Sequence, residues 1–246
     1  MRIAWERHGA GPPLLLIHGL GYARWGWEPV VEPLARTFDT IVLDNRGVGE
    51  SDAPPGPYTA AEMAVDAVQV LDEAGVERAH VAGTSLGGMI AQELALGYPE
   101  RVDRLVLACT TPGGPQALPM PRRTVELMQA RATLREYVEN ALEPDPRLDL
   151  VDRILAHRER TAQGFDAWAA QAAAGATFDA HDRLGSVAAR TLVQHGDGDV
   201  VVDPRNADLL AEAIPDARVS VYSGCGHLFM WQEPERFVKE LEEFLC

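Results

Sequence analysis

Lysine is nearly missing from this sequence: of 22 basic residues only Lys239 is a lysine, a skew we read as coding bias rather than function. Cysteine is almost as scarce. The three present, Cys109, Cys225 and Cys246, cannot all pair within one chain, and their spacing forms no metal knuckle. A reducing, cytoplasmic setting is therefore expected. No uninterrupted apolar run approaches the ~18 residues of a membrane span, and the opening MRIAWERHGAGPP lacks the apolar core of a signal peptide. Surplus positive charge is also absent. The formal net charge of −15 argues against non-specific attraction to nucleic acid or anionic lipid. What remains is an ordinary globular composition, 46% apolar and 24% charged, in a chain long enough for one large α/β domain.

Short apolar runs recur along the chain. Leu14–Ile17, Thr40–Leu43, Ala79–Ala82, Leu105–Ala108 and Thr191–Gln194 suit strands buried on both faces, and Arg218–Tyr222 alternates more. RIAWERHG reads as an edge strand that ends at the turn beginning with Gly9. Helical stretches fall between most of them: Pro29–Arg36, Ala60–Glu73, Leu86–Leu96, Arg205–Ala213 and Glu235–Phe244. Strands alternating with helices predict a mostly parallel sheet covered on both faces. The rhythm stops between residues 112 and 185. That stretch is Ala-, Arg- and Glu-rich, opens with TPGGPQALPMP and is interrupted by EPDPR, both loop signals. We expect a helical cap at 112–185 over a core made of residues 1–111 and 186–246, placed at the strand edge where open α/β sheets bind ligands. A packing bundle that touches no ligand is the alternative.

The sharpest motif is Gly83-Thr84-Ser85-Leu86-Gly87, followed by Gly88. A strand leads into it and an amphipathic helix, Met89–Ala95, leads out. That setting can hold a serine in a strained turn with its hydroxyl above the sheet edge, beside a helix N-terminus whose free N–H groups favour a developing oxyanion. The plainer alternative makes Ser85 only a helix N-cap.

A serine hydroxyl needs a base, and the base needs a third group to fix its tautomer. Of seven histidines, His227 follows the loop Ser223–Gly226 after the last strand, which places it at the same sheet edge as Ser85. His8 sits in a turn, His157 and His181 in the insertion, and His80 inside a strand. His18 and His195 end strands and are expected to be structural hydrogen-bonders. The loop His195-Gly196-Asp197-Gly198-Asp199 offers two carboxylates, of which Asp199 lies deeper towards His227. The order Ser85, Asp199, His227 is the one this architecture requires. Two N–H donors for the oxyanion are expected from Leu86 and from Leu20, set between Gly19 and Gly21.

Taken together, HGLG at 18–21, DNRGVGESD at 44–52, GTSLGG at 83–88, HGDGDVVVDP at 195–204 and GCGH at 224–227 resemble the α/β-hydrolase superfamily over nearly the whole chain. The resemblance implies Ser85 as nucleophile, Asp199 as acid and His227 as base. It puts Leu20 and Leu86 at the oxyanion positions, and makes Asp44, Arg46, Gly47, Gly49 and Ser51 a structural brace. Ser85 stands where haloalkane dehalogenases and epoxide hydrolases carry an aspartate, and no acid follows the strand ending at Cys109. Small carboxylesterases and enol-lactonases look most similar. Ester or lactone hydrolysis through an acyl-enzyme is the expected activity, with no metal or organic cofactor and a small-molecule substrate as partner. Neither nucleic acid nor membrane is expected to bind, and the chain is expected to be a monomer or homodimer. Thioesterase, acyltransferase or carbon–carbon hydrolase activity, and a receptor on the same fold, stay open. The pocket is expected to be apolar, with Trp25 and Leu228 beside Leu20 and Leu86, and Met120, Met128 or Trp168 from the insertion. Arg122, Arg123, Arg131 and Arg135 are either carboxylate readers or a solvated face.

Overall fold

In a computed structural model describing all 246 residues, the apolar runs pair into one seven-stranded sheet. Its strands are β1 (Trp5–His8), β2 (Pro13–Ile17), β3 (Asp39–Leu43), β4 (Ala79–Thr84), β5 (Val102–Ala108), β6 (Arg190–Gly196) and β7 (Ala217–Tyr222). The order across the sheet is β1-β3-β2-β4-β5-β6-β7. Only β1 runs antiparallel to its neighbour. Two strands are longer at their C-terminal ends than their apolar runs suggest. Gly83-Thr84 and His195-Gly196 carry no strand pattern of their own, but ladder pairing with Leu107, Ala108, Val221 and Tyr222 extends them.

Side chains alternate across a strand, so each central strand feeds two cores. Leu15 and Ile17 of β2, with Ile41, Val81 and Leu105, pack under α2 (Ala60–Glu73), α3 (Leu86–Gly97) and α8 (Asn206–Ala213). Leu14 and Leu16, with Val42, Ala82 and Val106, pack under α1 (Glu28–Leu34), α9 (Phe229–Gln232) and α10 (Pro234–Leu245). Local signals set the helix ends. Thr59 and Glu62 cap α2 reciprocally, as the spacing Ser/Thr-x-x-Glu allows, and Pro234 occupies the first position of α10, where a missing N–H costs nothing.

Between β5 and β6 lie α4 (Arg122–Ala130), α5 (Leu134–Ala141), α6 (Leu148–Arg160) and α7 (Phe165–Ala176). All four fall within the expected 112–185 stretch, and one isolated bridge, Gly113 to Asp179, is its sole strand-like pairing. The insertion contributes to both cores: Ala170, Ala174 and Phe178 to the first, Val138, Leu150, Val151 and Ile154 to the second. No helix is long and apolar enough to cross a membrane.

The chain leaves β2 for β3 on one side and returns to β4 on the other, which makes the β2–β4 boundary the switch point where ligands bind in open sheets. Register aligns the strand ends there. Ile17 pairs with Gly83, Thr84 with Ala108, Ala108 with Gln194 and Gly196 with Tyr222. The loops after those ends carry every residue of the expected triad.

Candidate active site

Ser85 follows β4 in a backbone conformation that L-residues avoid, φ 56° and ψ −121°. Such a residue costs about 1–3 kcal/mol and persists only where its surroundings over-determine it. Here they do. The Ser85 N–H donates to the Ala108 carbonyl at 2.9 Å, while its own carbonyl accepts from Thr110 Oγ1 at 2.8 Å and from Gly88 N at 2.9 Å. A Cβ on Gly87 would stand 2.0 Å from the Ile17 carbonyl oxygen, so α3 can approach β2 this closely only with glycine there. The Ser85 side chain makes no capping bond to α3. This removes the plain N-cap explanation for the serine.

Asp199 is buried, and four donors saturate its carboxylate. Oδ1 accepts from Val201 N at 2.7 Å and Val202 N at 3.0 Å. Oδ2 meets His227 Nδ1 at 2.7 Å and His195 Nε2 at 3.0 Å. Burial alone would raise this carboxyl's pKa, but the His227 charge and the two imidazole hydrogen bonds overcome it and hold it well below the usual range. His227 shows the reciprocal effect. Burial opposes its protonation, Asp199 favours it, the neighbouring Cys109 thiol adds to that, and the pKa is raised well above that of a free imidazole. With Nδ1 committed to Asp199, Nε2 is the nitrogen left for chemistry. Asp197, by contrast, is exposed and accepts the Gly224 N–H at 2.7 Å, a turn-bracing role.

Ser85 Oγ makes no hydrogen bond to the imidazole or to any other group. A hydrogen bond between hydroxyl and ring was expected from sequence; the Cys109 thiol, just after the neighbouring strand, also lies beside His227. Such bonds are commonly long in resting sites and tighten around substrate. Gly19 brings the loop after β2 against the nucleophile, since a Cβ there would fall 2.9 Å from Ser85 Cβ. The amides of Leu20 and Leu86 have no acceptor within the protein. The next amide along, Gly21, is taken by Gln171 Oε1 at 3.0 Å.

The remaining residues singled out from sequence separate by position. Asp44 binds Arg24 N and Glu50 N at 2.7 and 2.9 Å, Ser51 Oγ donates to its carbonyl at 2.6 Å, and Arg46 pairs with Asp66 at 2.6 Å. The 44–52 stretch is thus a brace. Asn45 holds the His18 carbonyl at 2.8 Å. His18 is buried, and burial lowers its pKa to about 3, with repulsion from His227 and Arg158 adding to the effect. His195 is a hydrogen-bonder, as expected, but on the acid itself. Trp25 does not stand free in a pocket: its ring stacks on His157 at 4.9 Å and its N–H donates to Thr161 at 2.8 Å, which fastens the insertion to the sheet domain. Leu228 is packed into the second core, its N–H on the Ala141 carbonyl at 3.0 Å. Met120 and Met128 are each 45% exposed, and Trp168 stacks on the exposed Phe165. Arg122 and Arg135 pair with Glu126 and Asp152 at 2.6 Å each, and Arg123 pairs with Glu143. Arg131, exposed, ends α4 in a left-handed conformation. Those four form a solvated face. The arginine that approaches the site is Arg158, which no local signal marked.

Residues 12–234 match the family model described as alpha/beta hydrolase fold. The chain is 35% identical to a protein of Azorhizobium caulinodans provisionally named carbamate hydrolase RutD, over 98% of this chain and 93% of that one. It is 32% identical to a 2-hydroxy-6-oxononadienedioate/2-hydroxy-6-oxononatrienedioate hydrolase of Paraburkholderia phymatum, over 100% of this chain and 91% of that one. Among solved structures, Est816, titled an N-acyl homoserine lactone degrading enzyme, superposes with a TM-score of 0.85 at 30% identity, covering 98% of this chain and 96% of the other. A strained serine at the switch point, a buried carboxylate–imidazole pair two strands away and a family match over most of the sequence lead to one conclusion: this chain belongs to the alpha/beta-hydrolase fold family, and it is a hydrolase.

Proposed function

We propose that this hydrolase cleaves carboxylic esters or lactones through an acyl-enzyme on Ser85, with substrate held beneath the helical insertion. The observation that carries the reading is the 2.7 Å contact between His227 Nδ1 and Asp199 Oδ2, at the same sheet edge as a serine of strained backbone. In this mechanism Ser85 Oγ attacks the carbonyl carbon as His227 Nε2 takes its proton. Asp199 keeps Nδ1 protonated and stabilises the imidazolium. The Leu20 and Leu86 amides hold the oxyanion, a contribution typically worth ~10²–10³ in rate per donor. Collapse expels the alkoxide, which His227 protonates. Water, deprotonated in turn by His227, then frees the carboxylic acid and restores the serine. No step calls for a metal or an organic cofactor.

The relatives support a second reading on the same residues. The protein sharing 35% identity carries a carbamate hydrolase name, and a carbamate carbonyl can pass through the same tetrahedral intermediate, with an amine or carbamic acid as a product in place of the free acid. A panel of p-nitrophenyl esters, lactones and alkyl carbamates separates the two. Ester or lactone turnover should dominate, and Ser85→Ala should lower it by roughly 10⁴-fold or more with the circular dichroism spectrum unchanged. Full activity in that variant removes the serine from the mechanism.

A further inference from the structure

Arg158 lies in the last turn of α6 and reaches the loop that follows β2. Its Nη1 donates to the Gly21 carbonyl at 2.7 Å, and the guanidinium lies over the Tyr22 ring, 4.4 Å from its centroid. No carboxylate stands within ion-pair distance of it. Nε is buried without a partner, as is the neighbouring Gln163 Oε1. A guanidinium carries five N–H donors, and burying charged donors unsatisfied is costly. Three other arginines of low exposure are treated differently: Arg24, Arg46 and Arg101 each hold a carboxylate, Asp44 at 2.7 Å, Asp66 at 2.6 Å and Asp72 at 2.8 Å. The 37 acidic residues of the chain supply none to Arg158.

The position of these free donors is what gives them a role. Gly19 abuts Ser85, Gly21 abuts Arg158, and the oxyanion candidate Leu20 stands between them. Two residues of chain span at most about 7 Å, so the guanidinium touches the loop about one short acyl chain from the residue that abuts Ser85. Tyr22 stacks on His18 at 4.6 Å. Its phenol is kept protonated by burial, which leaves it able to donate beside the cation.

We propose that Arg158, assisted by Tyr22, binds a carboxylate on the acyl portion of the substrate, so that the preferred substrates are half-esters or lactones bearing a free acid a few bonds from the scissile carbonyl. A planar guanidinium suits a carboxylate better than a neutral group because charge-assisted hydrogen bonds are roughly twice as strong as neutral ones. The net charge of −15 repels anions at long range, so a local cation is needed to retain one. The substrate class rests on the acyl-enzyme reading above, whereas the anion site itself does not.

The test compares p-nitrophenyl hydrogen glutarate with p-nitrophenyl valerate, of equal acyl length, in the wild-type enzyme and in Arg158→Gln and Arg158→Lys. The wild type should favour the glutarate by roughly 10- to 100-fold in kcat/KM, chiefly through KM. Arg158→Gln should cost the glutarate at least tenfold more than the valerate, and Arg158→Lys should recover part of the difference. Equal losses on both esters, or a wild-type preference for valerate, overturn the proposal and leave Arg158 as a brace between insertion and loop. Should no ester be turned over, the acyl-enzyme reading fails on its own. The anion site is then judged by calorimetry of monomethyl glutarate on Ser85→Ala: binding that disappears when Arg158→Gln is added supports it, and binding indifferent to Arg158 overturns it.

Discussion

His18 and His227 are both buried histidines, His18 lies close enough to feel the charge of His227, and their pKa values move in opposite directions. His18 has no carboxylate. Its Nδ1 accepts the Gly19 N–H at 2.8 Å, its Nε2 has no partner, and burial drives its pKa to about 3. It is a neutral spacer across the working range of pH. His227 is as deeply buried, and burial opposes its protonation, but the charge and hydrogen bond of Asp199 together with the Cys109 thiol overcome that penalty and raise the pKa. Burial does not make a base; a desolvated carboxylate held by two backbone amides does. One strand end thus carries an imidazole kept neutral and another an imidazole whose pKa is raised, from residues that look alike in isolation.

Removing the difference between the two histidines should have the largest consequence. Asp199→Asn abolishes the charge and permits the wrong tautomer at His227, so kcat should fall on the order of 10⁴-fold. Asp197→Asn touches only the turn and should stay within a few-fold of wild type. A reversal of that ranking transfers the acid to Asp197. A smaller effect appears in the pH profile. His227 acts as a base only when neutral, and its pKa is raised, so kcat/KM should climb with pH along a limb centred above the free imidazole value of 6.5. In Asp199→Asn, burial is opposed only by the Cys109 thiol, and the residual activity should show that limb moved to lower pH, towards the behaviour of His18. A limb that stays in place, or moves up, contradicts the assignment of the raised pKa to Asp199.

The difference between short-range and long-range signals also explains how far the sequence could be read. Strand positions, the glycine-flanked turn at Ser85 and the loops that carry Asp199 and His227 were legible because each is announced locally: an apolar run, a glycine pair, a loop after a strand. The edge position of β1 and the helical insertion followed from the same patterns, whereas the antiparallel direction of β1 did not. Arg158 was not legible, because its meaning depends on a contact with Gly21 across 137 positions and on an acid that is missing. The arginines chosen instead, Arg122, Arg123 and Arg135, pair with nearby acids on the surface. Trp25 was expected to line a pocket, and its contacts with His157 and Thr161 of the insertion were not foreseen, since nothing in a tryptophan's own neighbourhood says which segment will cover it.

Ser85 is proposed as the covalent nucleophile, and incubation with an alkyl fluorophosphonate followed by peptide mass spectrometry tests this directly. One phosphonyl group per chain is expected, on the peptide containing Ser85, with activity lost in proportion to labelling. Labelling at a different residue, or full turnover after Ser85 is modified, contradicts it.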